Sequence, residues 1–162
     1  MSMSVHVLWQ RGAGFDSASL LAALKDLGFE ADLMQELDGA DGFWPVDIAG
    51  FRTGFEVSMG PIDQFVEDYP DLASSLQGQD AEAAFYWHSD FAQAGAAMLV
   101  SAALAKVTQG MIYEAQDGEF YSIDRAVQAA RELLDSSMCE MRASTFSVSV
   151  RTSRRANCDP RQ

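Results

Sequence analysis

The sequence predicts a single α+β domain, built on a mixed β-sheet with its helices mainly on one face. Three observations carry this. Ala83–Tyr121 reads as a buried strand, a long alanine-rich helix and a returning strand. Strand-type and helix-type periodicities alternate along the whole chain. A clean amphipathic helix follows Ser122. At 162 residues, 48% of them hydrophobic, and with mean hydropathy near zero (−0.07), the chain is long enough to bury one core.

Val5–Gln10 is the first expected strand, apolar on both faces. A helix follows from about Ser17 to Leu27, capped by Asp16 or Ser17, striped by Leu20, Leu24 and Leu27, and stopped by Gly28. Phe29–Leu37 alternates as a peripheral strand with one wet face. The loop Asp38–Gly42 leads to Phe43-Trp44-Pro45, where proline holds Trp44 extended. A short strand is expected at Val46–Ile48 and a better one at Thr53–Met59. Ile62, Phe65, Val66 and Tyr69 then fall on one face of a short helix ended by Pro70, and Asp71–Gln77 adds a further turn.

The central unit starts with Ala83–His88, apolar on both faces as an interior strand should be. Ser89 is the expected N-cap of the next helix, Asp90 its electrostatic support, and Gly110 its stop. At about 100° per residue its apolar side chains point all ways, so this helix must be covered on most sides. Met111–Ala115 returns as a strand, forming a right-handed crossover if the two strands are parallel neighbours. Asp117-Gly118 turns the chain into Glu119–Tyr121. The helix capped by Ser122 turns Ile123, Ala126, Val127, Ala130, Leu133 and Leu134 inward. Phe91–Val107 is short for a membrane span and carries Gln93, Ser101 and Lys106, so a buried helix and no membrane contact are expected.

The division is residues 1–137 as an acidic domain and 138–162 as a basic Ser/Arg-rich tail, loosely attached or adding an edge strand at Thr145–Val150. The charge is lopsided: 24 acidic against 11 basic residues, net −13. Arg142, Arg151, Arg154, Arg155 and Arg161 oppose only Glu140 and Asp159 after Ser137, which leaves +3 on the tail and −16 on residues 1–137. Lys25 and Lys106 are the only lysines. Such a body repels phosphate backbones and speeds encounter with a basic protein, so a basic partner is expected and nucleic acid is not. Cys139 and Cys158 form no CxxC pair and no Cys/His cluster, so no zinc site is expected. MSMSVHVLWQ has neither a basic start nor a long apolar run, so a cytoplasmic location is the expectation.

Chemical signatures are sparse. Gly12-Ala13-Gly14 falls short of a dinucleotide loop, because Ser17 stands where the third glycine belongs; no cofactor is expected. Glu36, Asp38 and Asp41 lack the alternating spacing of a calcium loop, and no metal site is expected. His88, beside Ser89 and Asp90, is the one candidate catalytic residue, although adjacency in sequence is not a triad. The acidic side chains Asp38, Asp41, Asp63, Glu67 and Asp68, with Trp44 as aromatic anchor, form the candidate partner-binding set.

One stretch carries a likeness. Ala102–Tyr121 joins an alanine-rich helix, a Thr-x-Gly stop (Thr108–Gly110), a short apolar strand, then Gln116-Asp117-Gly118 and the aromatic Phe120. It resembles a segment of small uncharacterised bacterial proteins that include immunity-type proteins of toxin systems. The likeness covers about an eighth of the chain, and its motif residues are structural. Together with the charge, it implies a non-enzymatic acidic binding module, of the kind that inhibits a basic toxin or enzyme. The alternatives are a small hydrolase-like enzyme using His88 with a carboxylate, or an accessory or regulatory protein.

Overall fold

The computed structural model describes the backbone of residues 3–153 and the side chains of residues 3–144. The elements run β1 (Met3–Trp9), α1 (Ser17–Asp26), β2 (Ala31–Leu33), β3 (Asp41–Ile48), β4 (Phe51–Pro61), α2 (Asp63–Asp68), a 3-10 turn (Pro70–Ser75), β5 (Ala81–Trp87), α3 (Phe91–Thr108), β6 (Met111–Glu114), β7 (Glu119–Tyr121) and α4 (Ile123–Ser153). This is the α+β domain the sequence predicts.

The sheet has seven strands in the order β2-β3-β4-β5-β1-β6-β7, and every pairing is antiparallel rather than mixed. The crossover β5–α3–β6 does join strands that run the same way. The first strand of the chain lies between them and pairs with both, so β5 and β6 are not neighbours.

Strand boundaries follow local chemistry. Only Ala31–Leu33 of the expected Phe29–Leu37 strand pairs, and it pairs with Val46–Ile48. β3 extends back through Pro45 to Asp41. Pro45 sits just beyond the reach of β2, where its missing N–H breaks no ladder bond.

The caps of α1 stand where expected, and those of α3 are shifted by one residue. Asp16 and Ser19 close a reciprocal capping box on α1, as expected of Asp16. On α3, Asp90 rather than Ser89 is the N-cap, its carboxylate accepting from the N–H groups of Ala92 (2.8 Å) and Gln93 (3.0 Å). Gln109, not Gly110, takes the left-handed C-cap position, φ 54°. Gly110 serves a different need: a Cβ there would stand 2.7 Å from the Leu8 carbonyl oxygen.

α3 lies on one face of the sheet, against β1, β4, β5 and β6, with α1 and α4 packed along it. It is long and apolar enough to cross a membrane, but here it is largely buried inside the domain. Its small residues allow close approach. At Gly95 a Cβ would meet the Leu134 side chain at 2.7 Å and the Ala130 carbonyl oxygen at 3.3 Å.

α4 does not end near Ser136. The Ser136 hydroxyl donates back to the Glu132 carbonyl (2.9 Å), a bond that a helix interior accommodates, and no glycine or proline follows before Ser153. Thr145–Val150 is therefore helical and not an edge strand. Cys139 is exposed on this helix, while Cys158 and any pairing with it lie outside the described residues.

Among the described residues, the second face of the sheet carries only α2 and the 3-10 turn. They form a small separate cluster, Phe65 packing on Leu8 and Tyr113.

Because Gly95 sets the α3–α4 approach, Gly95→Leu is expected to force the helices apart and cost about 3 kcal/mol, the upper part of the usual overpacking range. Denaturant unfolding at constant m-value checks it; an unchanged midpoint would show that the crossing is loose.

Candidate functional site

In-register strand partners share a face, so the pairing places the side chains of the open face in rows. One row reads Asp41–Ser58–Ala84–His6–Tyr113–Phe120. The next reads Phe43–Glu56–Tyr86–Ser4. On the other side of the first row lies Gly60–Glu82–Leu8–Met111.

Beneath α2, this face carries a hydrogen-bonded chain. His6 is 3% exposed and Glu82 7%, with Nδ1 of His6 2.6 Å from Oε1 of Glu82. A carboxylate only accepts, so the Nδ1 proton points to Glu82, and Nε2 faces the Ser4 hydroxyl at 3.1 Å. Phe65, Tyr69, Tyr86 and Tyr113 surround the imidazole, at centroid separations of 5.5 to 6.3 Å. Hydroxyl, imidazole and carboxylate in this order is the connectivity that activates a serine nucleophile. Here the rings that enclose the imidazole make it an interior polar pair.

The histidine–carboxylate pair expected at His88 is thus found at His6. His88 itself is exposed at the end of β5, and among the described residues no carboxylate is hydrogen-bonded to it. It lines two clefts. One, of about 520 Å³, lies where β1, β5 and β6 meet α3 and α4. The other, of about 930 Å³, lies between the start of β4 and residues 137–144 of α4.

The partner-binding set divides. Trp44 is not an anchor: it is 1% exposed, packs on Phe55 at 5.5 Å and donates its indole N–H to the Glu36 carbonyl at 3.3 Å. Strand alternation sends Trp44 into the core and Phe43 outward, where it is 61% exposed. A Cβ at Gly54 would collide with the Phe43 ring, so the glycine lets this ring lean over the neighbouring strand. Asp41 borders the same open face. Asp68 lies near enough to Tyr86 and Tyr69 for its charge to act on both. Asp63 and Glu67 are exposed on α2. Asp38 stands apart, in a cleft of about 370 Å³ shared with Arg11 and Met59. Ser4, His6 and Glu82 line none of these three clefts.

The sequence reading takes Trp44 rather than its neighbour Phe43 as the anchor and misses Glu56 and Tyr86. Placing Asp41 and Pro45 on one strand would have found Phe43, since residues 41, 43 and 45 then share a face. None of these three rows carries a lysine or arginine; further along the same face Arg52 opposes Asp47 and is tied to it by two 3.2 Å hydrogen bonds. No group of three or more His, Cys, Asp or Glu side chains suited to a metal occurs among the described residues. Comparison with family models, curated proteins and solved structures gives no match.

All four tyrosines of the chain have raised pKa values, each chiefly through burial. The nearby charge of Glu82 adds to this at Tyr86, and that of Glu114 at Tyr113. Tyr121, which also donates to Asp117, is pushed up to about 12. Between their ordinary value near 10 and this higher range the folded state holds protons that the unfolded chain has released, so stability falls as pH rises through that window. Absorbance titration at 295 nm should show tyrosinate appearing late, and Tyr121→Phe should delete the highest-pH component. Titration of all four at the ordinary value would contradict this.

Removing one partner of a buried pair strands the other. His6→Leu and Glu82→Leu should each cost about 3 kcal/mol, while the double variant carrying both recovers most of the loss. A double-variant cycle by denaturant unfolding measures it, and additive losses would refute a coupled pair.

Proposed function

We propose that this protein is a non-enzymatic acidic binding module whose open sheet face docks a basic protein partner. An immunity-type inhibitor that occludes a basic toxin or enzyme would work in this way. The observation that carries the reading is Phe43, exposed on a face otherwise edged by carboxylates: Glu56 directly opposite it, Asp41 two residues before it, and the exposed Asp68 on α2, whose charge acts on Tyr86. An aromatic anchor within a polar rim is the usual anatomy of a protein interface. The rim here has one sign of charge, and the nearest arginine along this face, Arg52, is held by Asp47.

The charge would act first on the encounter. A body of −16 over residues 1–137 attracts a cationic protein from a distance, raising the association rate in a salt-sensitive way. The aromatic side chains then supply apolar contact once rim charges are paired. On this reading His6 and Glu82 hold the sheet face in shape beneath α2 and are not chemical groups.

The test is recovery of a partner at low salt, followed by calorimetry with the purified pair. Glu56→Lys combined with Asp68→Lys should weaken binding by about tenfold or more and flatten its salt dependence, and Phe43→Ala should weaken it by a similar factor. Asp135→Lys, on α4 in the opposite layer, should have little effect. Failure to recover a stoichiometric partner, or equal loss from Asp135→Lys, would overturn the assignment.

A further inference from the structure

The cleft of about 520 Å³ beside His88 lies on the helix side of the sheet, away from the proposed docking face. Its volume falls in the range of small-molecule sites. Its walls are apolar: Trp87 from β5, Phe91 and Met98 from α3, and Leu133 from α4. Its charged groups are the four carboxylates Asp90, Glu114, Asp117 and Glu132, with no lysine or arginine among the lining residues.

These carboxylates are not equivalent. Asp90 is committed to capping α3. Asp117 accepts from the Tyr121 hydroxyl and has the Arg125 guanidinium 3.5 Å from its Oδ2. Arg125 itself stands over the Tyr121 ring at 4.0 Å and reaches Glu119 at 2.6 Å, outside the cleft lining. Glu114 is different. It is 5% exposed, it pairs in register with Val5 of the central strand, and its Oε2 accepts from the Asp117 N–H at 2.6 Å. None of the five ion pairs of the described residues includes it.

We propose that this cleft binds a small organic cation, an amine carrying an apolar body, with the ammonium group directed at Glu114. A carboxylate in an apolar surround gains most from an opposite charge that arrives with it. Trp87 and Phe91 add aromatic faces of the kind that attract ammonium groups. The body of the ligand would lie along Met98 and Leu133, and an anion would be repelled by Glu114, Asp117 and Glu132 together.

Matched ligands isolate the charge. 4-Phenylbutylamine, 4-phenylbutanol and 4-phenylbutyrate share one apolar body, and calorimetry at neutral pH compares them on the full chain. The amine should bind about tenfold or more tighter than the alcohol, and the carboxylate should not bind measurably. Glu114→Gln keeps an acceptor for the Asp117 N–H but removes the charge, so amine affinity should fall to that of the alcohol. Ala129→Phe, which adds bulk to the cleft lining and leaves Glu114 intact, should weaken amine and alcohol alike. Equal affinity for amine and alcohol, an amine preference that survives Glu114→Gln, or no amine binding at millimolar concentration would each overturn the proposal. Should Glu114→Gln fail to unfold cooperatively, the ligand series on the parent chain and on Ala129→Phe decides.

Discussion

The long helix α3 has no polar side. Residues from Ala92 to Ala105 are almost all buried, and glycine and alanine make up more than half of that run. Such a helix must be enclosed, and the sheet covers only part of it. α1 and α4 cover the remainder, so both must stand on the same face of the sheet as α3. Gly95 shows how close the enclosure is, since at that point α4 leaves no room for a Cβ. With its longest helices drawn to one side, the described chain has only the six residues of α2 and a 3-10 turn for the other. The bare part of the second face is a consequence of how α3 is buried.

That second face is where polar groups enter the interior. β1 and β5 are the central strands and are covered on both sides beneath α2, yet each carries an ionisable residue there. His6 and Glu82 are diagonal neighbours, Glu82 opposing Leu8 and His6 opposing Ala84. Neither would be stable alone in a cage of Phe65, Tyr69 and Tyr113. Their mutual hydrogen bond, extended to Ser4, makes the arrangement tolerable and fixes how Phe65 and Tyr69 sit over the sheet. The pair thus links the inner face of α2 to the position of its outer acids, Asp63, Glu67 and Asp68.

Much of this fold was legible. The all-apolar helix, the strand before it, the Asp117-Gly118 turn and the Ser122 start of α4 all follow from local patterns. What escaped was set by partners distant in sequence. Whether a crossover joins neighbouring strands depends on what lies between them, and β1 enters from the far end of the chain. Trp44 reads as an interface anchor from its sequence because an aromatic beside acidic residues suits one. Its burial becomes visible only when β3 is extended back to Asp41. Glu82 precedes the strand as read from Ala83, and His6 offered no local clue to its partner 76 residues away. The α3 caps moved by one residue at each end because adjacent positions offered competing caps: Ser89 beside Asp90, and Gln109 beside Gly110. For the candidate site, the acidity was plain from composition. Which carboxylates share a face was not, because that depends on sheet register.

The distribution of cations makes the acidity more consequential than the net charge alone implies. Arg52 is held by Asp47, Lys106 lies 3.8 Å from Asp26, and Arg125 joins Asp117 and Glu119. Arg131 stands over the Phe29 ring at 4.7 Å and reaches the Leu27 carbonyl at 3.5 Å, tying α4 to the end of α1. These basic side chains tie neighbouring elements together and are not spread among the surplus acids. Exposed pairs of this kind add little stability individually, but each occupies a cation that would otherwise screen a neighbouring carboxylate. Asp41, Glu56 and Asp68 therefore stand on the open face without an ion-pair partner among the described residues. A cationic partner arriving there would displace water and counterions and would not have to break an internal ion pair at these three positions, so its charge would act on the surface undiminished.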